Sequence, residues 1–398
     1  MLEARARHKK IIAVVASFLC ALTIADMAVG ISFYVLKHLD NGKTYYKFFS
    51  YGDAYFSSIE KNKEYFLTFI NDYYDPATGW NNPRSQYHAS TGCRSKWEAY
   101  YNEDGSRKTC HASPVRKYDI ICVGDSFTHG NETDDGKTFP AILQKLLKLN
   151  VGNFGVGGYD TVQSVLQYEA VLSRVDPPKV GILGIMYENG RRNLNSFRPV
   201  YVNYFDLYEA FLFKPYFDGK QINDPVIRHE NTFEHYKSQA HDAFINDFWA
   251  KPKLTFPFSI SLFKSLHRPS FTFQFRQKIN HILHNGTYSY DYQTPIILNG
   301  IRHCVDRFVN ISMNRNILPV VVFIPPSARD ITSPDSLASE LQARYPQSLI
   351  LNFGKHNMDW EKYSLGEGCH PTPDGYEEIA KFLSSRIVAA QKGRDENN

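Results

Sequence analysis

The chain opens on one long apolar run and then settles into short apolar stretches separated by amphipathic ones. Residues 11–36 are almost wholly apolar, interrupted by Asp26 and a few small polar residues. A helix of that length crosses a hydrocarbon core of ~30 Å. Residues 37–69 read as a polar-aromatic helical stem. Residues 71–117 carry turn signals, Asp75-Pro-Ala-Thr-Gly-Trp80 and Asn102-Glu-Asp-Gly-Ser106, which predict irregular strands and hairpins. Beyond them β-prone and helical patterns alternate. A strand pattern at Ile120–Val123 precedes an amphipathic helix over 139–149 with Pro140 in its first turn. A short strand leads into Asn153, and Asp160-Thr161 caps a helix over 162–175. Val180–Met186 and Leu318–Ile324 read as buried strands, and 348–353 as the last strand. Helices are expected over 296–313, 336–345 and 376–390. This alternation implies an α/β fold, a doubly wound, mostly parallel five-stranded sheet in a flavodoxin-like order.

Residues 190–295 break that rhythm. They are rich in aromatic residues and poor in sheet-like turns, so a mainly helical insertion is expected, either a packed subdomain or a lid. The insertion starts directly after Asn189 and should emerge beside whatever site the sheet edge carries. The organisation expected is therefore a stub and membrane segment (1–37), a stem with a turn-rich segment (38–115), an α/β domain in two pieces (116–189 and 296–392) and the insertion (190–295).

Composition changes this picture little. The chain has 398 residues, 43% hydrophobic and 22% charged, which supports a sizeable core. A net charge of +4 gives no basis for a nucleic-acid partner. Charge matters most at the N-terminus, where Arg5, Arg7, Lys9 and Lys10 precede the apolar run. Leading cations keep that end in the cytoplasm and send the rest across. The segment then reads as a signal anchor contacting the bilayer through residues 11–36, with the α/β domain extracytoplasmic. A cleavable signal peptide ending at Thr23-Ile-Ala25 is the rival. Asp26 is costly in a bilayer, so it either meets a helix partner or speaks for cleavage. Cys93 and Cys110 flank the turn-rich piece and are a disulfide candidate in an exported protein.

Candidate chemistry begins where the run Ile120, Ile121, Val123 stops at Gly124-Asp125-Ser126. A buried strand ending in a glycine, a short acid and a small hydroxyl residue delivers that hydroxyl to the carboxyl edge of the sheet, where open α/β sheets hold ligands. The same residues also build ordinary turns. A second stretch, Glu367-Gly-Cys-His370-Pro-Thr-Pro, places an imidazole three residues after an acid, just ahead of the last helix. Hydroxyl, base and a group that orients the base are what serine hydrolysis requires. Two further blocks lie between them: Asn153-Phe-Gly-Val-Gly-Gly158-Tyr-Asp-Thr161, and Glu188-Asn189 after a strand. With these four blocks in order over about 116–390, the chain resembles the SGNH, or GDSL-like, hydrolase superfamily.

The resemblance implies roles. Ser126 would be the nucleophile, His370 the general base and Glu367 the acid that orients it. The oxyanion would be held by the Ser126 N–H, the Gly158 N–H and the Asn189 amide. Asp125, Arg191 and Arg192 are candidate substrate-binding residues, the two arginines either meeting an anionic substrate or neutralising Glu188. The expected substrate is an ester, with an acylated surface glycan as one case, and the reaction hydrolysis or acyl transfer. An idle glycan-binding subunit and a lipid esterase or thioesterase are the alternatives. The chain departs from the family pattern in three places: Glu367 stands where Asp is usual, Gly157 and Gly158 are adjacent, and one register slip would move the amide role from Asn189 to Asn193. No cofactor or metal is called for. Residues 130–138 only imitate a phosphate loop, with five residues between glycines. His281 and His284 lack a third ligand.

Overall fold

The computed structural model describes residues 2–39, 43–84, 99–109, 117–202, 209–225, 227, 232–283, 290–326, 333–363 and 370–395. Its centre is a five-stranded sheet of β1 (Ile120–Val123), β2 (Val151–Asn153), β3 (Val180–Met186), β4 (Leu318–Ile324) and β5 (Leu349–Asn352). All pairings are parallel and the spatial order is 2-1-3-4-5, the flavodoxin-like order expected. Chain direction across the sheet reverses at β1, so a crevice opens at the carboxyl ends of β1 and β3. Ser126 and Asn189 follow those two ends.

The helices enter in chain order: α1 (Leu2–His38), α2 (Gly52–Lys61), α3 (Ser126–His129), α4 (Phe139–Leu147), α5 (Thr161–Leu172), α6 (Phe233–Asn246), α7 (Phe258–Leu266), α8 (Pro269–Leu283), α9 (Pro295–Met313), α10 (Asp335–Arg344) and α11 (Pro373–Asp395). Period-two alternation along the strands splits the core. Ile120, Cys122, Val180 and Ile182 face α4 and α11. Ile121, Val123, Leu183 and Ile185 face α5 and α9. Asp160 caps α5 by accepting from Gln163 N at 2.8 Å, and the Gln163 side chain returns the bond to complete a capping box.

The stem is broken rather than continuous, with turns Tyr45–Phe48 and Glu64–Thr68 on either side of α2. Tyr55 and Ile59, one helical turn apart, are its buried face. The Tyr55 ring packs edge-on to Phe197, and its hydroxyl meets that of Tyr236 at 2.8 Å. The turn-rich segment forms the hairpin Tyr74–Asp75 with Gly79–Trp80, and a second turn closed by the bridge between Tyr101 and Arg107. The described residues of the insertion are mainly helical and include a small hairpin, Tyr216–Phe217 with Ile222–Asn223. Phe197, Phe211, Tyr236 and Phe244 share a single core with Val165 of α5, Phe308 of α9, and Tyr55 and Phe66 of the stem. Stem and insertion thus fuse into a second layer on one face of the sheet.

α1 is long and apolar enough over Lys10–His38 to cross a membrane. Asp26 has the helix partner that the sequence left open: its carboxylate accepts from Phe258 N at 2.7 Å and Ser259 N at 2.6 Å, at the start of α7. Cys93, Cys110, Glu367 and His284 lie outside the described residues, so the disulfide candidate and the expected acid receive no structural account.

Candidate active site

β1 ends in the core, and Asp125 turns the chain into α3. Its Oδ1 accepts from Phe127 N at 2.9 Å, an N-cap that fixes where Ser126 begins the helix. Gly124 is needed because a Cβ there would sit 2.1 Å from Thr128 Oγ1. Ser126 lines a cavity of about 540 Å³ together with Gly158, Glu188, Arg192 and His370. His370 reaches it from the start of α11, its ring 5.4 Å from that of Phe127, the residue after the serine. Two segments far apart in sequence therefore converge on one wall. Gly158 has φ +79°, a conformation that suits glycine, and a Cβ there would press within 3.2 Å of the Arg198 guanidinium.

The two candidate amides separate clearly. Asn193 Oδ1 accepts from Thr161 N at 3.0 Å and Val162 N at 3.3 Å, so it closes the first turn of α5. Asn189 is fully buried beside the Asp125 carboxyl, which its amide helps to keep ionised. Neither Asn189 side-chain atom completes an aligned hydrogen bond. Asn189 thus lies beside Asp125, the residue before Ser126, and like Asp125 is not part of the cavity wall, whereas Asn193 has spent its acceptor on helix packing.

The substrate-binding expectation changes for two residues. Asp125 is fully buried, caps α3 and is not part of the cavity wall. Burial pushes its carboxyl pKa up, against the charges of Arg192 and His370 and its hydrogen bonds. Arg191 also points elsewhere. It pairs with Glu188 at 2.8 Å and with Asp291 at 3.3 Å, over the Phe273 ring. Arg192 stays on the wall, 3.8 Å from Glu188. The charge of Arg191, then that of Arg192, holds Glu188 below the usual carboxylate range against its partial desolvation.

Sequence reasoning missed the loop that faces His370. Glu132 Oε1 lies 3.4 Å from His370 Nδ1, in ion-pair range though not aligned as a hydrogen bond. Glu132 has φ +64°, a left-handed backbone that costs a non-glycine residue roughly 1–3 kcal/mol and persists only where surroundings impose it. Arg107 imposes it. Its buried guanidinium pairs with Asp135 at 2.8 Å and donates to the carbonyls of His129 (2.9 Å), Gly130 (2.6 Å) and Thr133 (2.7 Å). The residues that imitate a phosphate loop are therefore a stapled turn that carries a carboxylate to the imidazole. His129, buried and next to Arg107, is held well below the normal imidazole range, first by burial and then by that charge, and shares a 2.9 Å hydrogen bond with Tyr101. Arg198 and Glu209 were missed as well. Both line the cavity, 3.5 Å apart, and Arg198 donates to Gly158 O at 3.2 Å.

No protein-family model matches the chain, and no curated protein matches it. Among solved structures, it is similar to a GDSL-like lipase from Bacteroides thetaiotaomicron, with 12% identity, 70% of this chain and 93% of that one covered, and a TM-score of 0.32. It is also similar to an acetyl xylan esterase from the rumen bacterium Butyrivibrio proteoclasticus, with 12% identity, 71% and 66% covered, and a TM-score of 0.32. Likenesses this faint decide nothing about the chemistry of this chain, which follows from its own site.

Proposed function

We propose that this protein is a serine esterase of SGNH type, hydrolysing or transferring a short acyl group, held at a membrane by α1 with its α/β domain outside the cytoplasm. The observation that carries the reading is the meeting of Ser126, Gly158 and His370 on one cavity from three separate stretches of chain. Ser126 Oγ attacks the ester carbonyl as His370 takes its proton; the carbonyl becomes a tetrahedral oxyanion. The N–H groups of Ser126 and Gly158 and the Asn189 amide receive that charge. Collapse expels the alcohol, which takes the proton from His370, and leaves an acyl-serine. Water or a sugar hydroxyl then repeats the sequence in reverse. Glu132 offsets the charge that His370 acquires, and Glu367 is the second carboxylate proposed for that task.

An acylated glycan is the substrate proposed. Asn81, Asn82, Arg192, Arg198 and Glu209 stand on the cavity wall beside Tyr73 and Trp80. Such a wall offers hydrogen bonds and ring faces to a sugar, whereas a long acyl chain would strip water from those polar groups and offer them no hydrogen bond in return. Turnover of p-nitrophenyl acetate by the Ser126→Ala variant is expected to fall by at least ~10³-fold. Rates should also decline as the acyl chain lengthens. Unchanged turnover in the variant would remove Ser126 as nucleophile, and a preference for long chains would replace the glycan by a lipid ester.

A further inference from the structure

The exposed apolar face of α7 is out of place on a water-facing insertion. Ile260 and Phe263, 51% and 62% exposed, stand three residues apart on α7 and share one face, and Phe256, 60% exposed, lies just ahead of the helix. Large exposed apolar faces of this kind mark a contact surface. What covers it follows from where α7 is attached.

α7 is fixed against α1 at both ends. At its start, Asp26 accepts from the N–H groups of Phe258 and Ser259. One turn further along α1, Gly30 leaves room for the Phe258 ring; a Cβ there would lie 2.4 Å from that ring. Near its end, Ser265 Oγ donates to Phe48 O, and the Phe48 ring packs 5.4 Å from Phe33 of α1. From Asp26 to Phe33 is seven residues, as from Phe258 to Ser265. At 1.5 Å per residue each rise is about 10 Å, so the start of α7 is level with Asp26 and its end comes, by way of Phe48, alongside the turn of α1 that carries Phe33. α7 therefore occupies the same depth as residues 26–33 of the apolar run. Asp26 can sit in that run because a helix N-terminus, with two N–H groups and the positive end of its dipole, meets the carboxylate.

We infer that α7, with Phe256 at its tip, is buried in the outer leaflet of the same bilayer that α1 crosses, and that its partner is lipid acyl chain. The inference rests on the anchor reading through residues 11–36. It makes the insertion a membrane-embedded element that ties the catalytic layer to the bilayer at a second point.

The test uses the full chain reconstituted in phospholipid vesicles, with an environment-sensitive fluorescent amino acid in place of Phe263 or, as a second site, Ile260. The same residue in place of Ile31 of α1 and of Leu146 of α4 supplies the two references, both exposed on the protein. Insertion predicts quenching by brominated acyl chains within about twofold of the Ile31 position, and iodide quenching at least about fivefold weaker than at Leu146. Iodide quenching equal to that at Leu146 would overturn the inference. So would protection from iodide without lipid quenching, which would mark a protein contact such as a second copy. Intact mass shows whether cleavage after Ala25 has occurred. Cleaved chain with lipid-quenched α7 would sink the anchor while sustaining the insertion; cleaved chain with water-exposed α7 would sink both.

Discussion

The two sides of the cavity are built differently. The sheet side, with Ser126 on the wall and Asn189 buried, is set by strand ends: β1 and β3 are buried, parallel and paired along their length, and each candidate residue follows within three positions of a strand. The loop side, with His370 and Glu132, is set by contacts through space. Arg107, from the turn-rich segment ahead of the sheet, bonds three carbonyls and one carboxylate of the 129–135 loop, and that loop presents Glu132 to the imidazole. One side inherits its geometry from the fold; the other is held chiefly by a buried cation, with Asn153 and Tyr376 donating to the carbonyls of His129 and Asn131.

The largest expected consequence follows from that cation. Arg107→Met strands Asp135 as a buried charge, and breaking such a pair costs about 3–5 kcal/mol. Chemical denaturation should register the loss, whereas Arg302→Met, which breaks an exposed pair with Glu340, should shift stability by no more than about 1 kcal/mol. Equal effects would mean that the loop is held by something other than Arg107. Next comes the contrast between the two amides. Asn189→Ala should lower the turnover of folded enzyme by ~10²–10³-fold, as expected for a lost oxyanion donor. Asn193→Ala should instead lower the melting temperature while leaving the turnover of folded enzyme nearly unchanged. Reversal of that pattern would move the donor role to Asn193. The smallest effect separates the two carboxylates: Glu132→Gln should reduce kcat by roughly 10–10²-fold, less than a fully buried triad acid would. A larger loss in Glu367→Gln than in Glu132→Gln, measured on the same ester, would return the orienting role to Glu367.

This contrast also explains what the sequence revealed. The five strands, the capped helix α5 and the place of Ser126 just past a strand end were legible because buried strands and caps leave local patterns: apolar runs, a stop at glycine, an acid before a helical period. His370 was legible through its spacing ahead of α11 and through the family resemblance. Glu132 was not, because neither its backbone conformation nor its contact with a residue 238 positions away leaves a periodic trace. The choice between Asn189 and Asn193 also needed space rather than spacing, since only the packing of Asn193 on α5 distinguishes them. Asp26 was legible as an anomaly, but its partner on α7 lies more than two hundred residues along the chain.

In the proposed reaction Ser126 becomes covalently acylated with help from His370. Peptide mass mapping after brief exposure of the membrane-reconstituted protein to a fluorophosphonate tests it most directly. The adduct is expected on Ser126, forming at least ~10²-fold more slowly in His370→Ala. An adduct on another serine, or one that forms on Ser126 equally fast without the imidazole, would contradict the account.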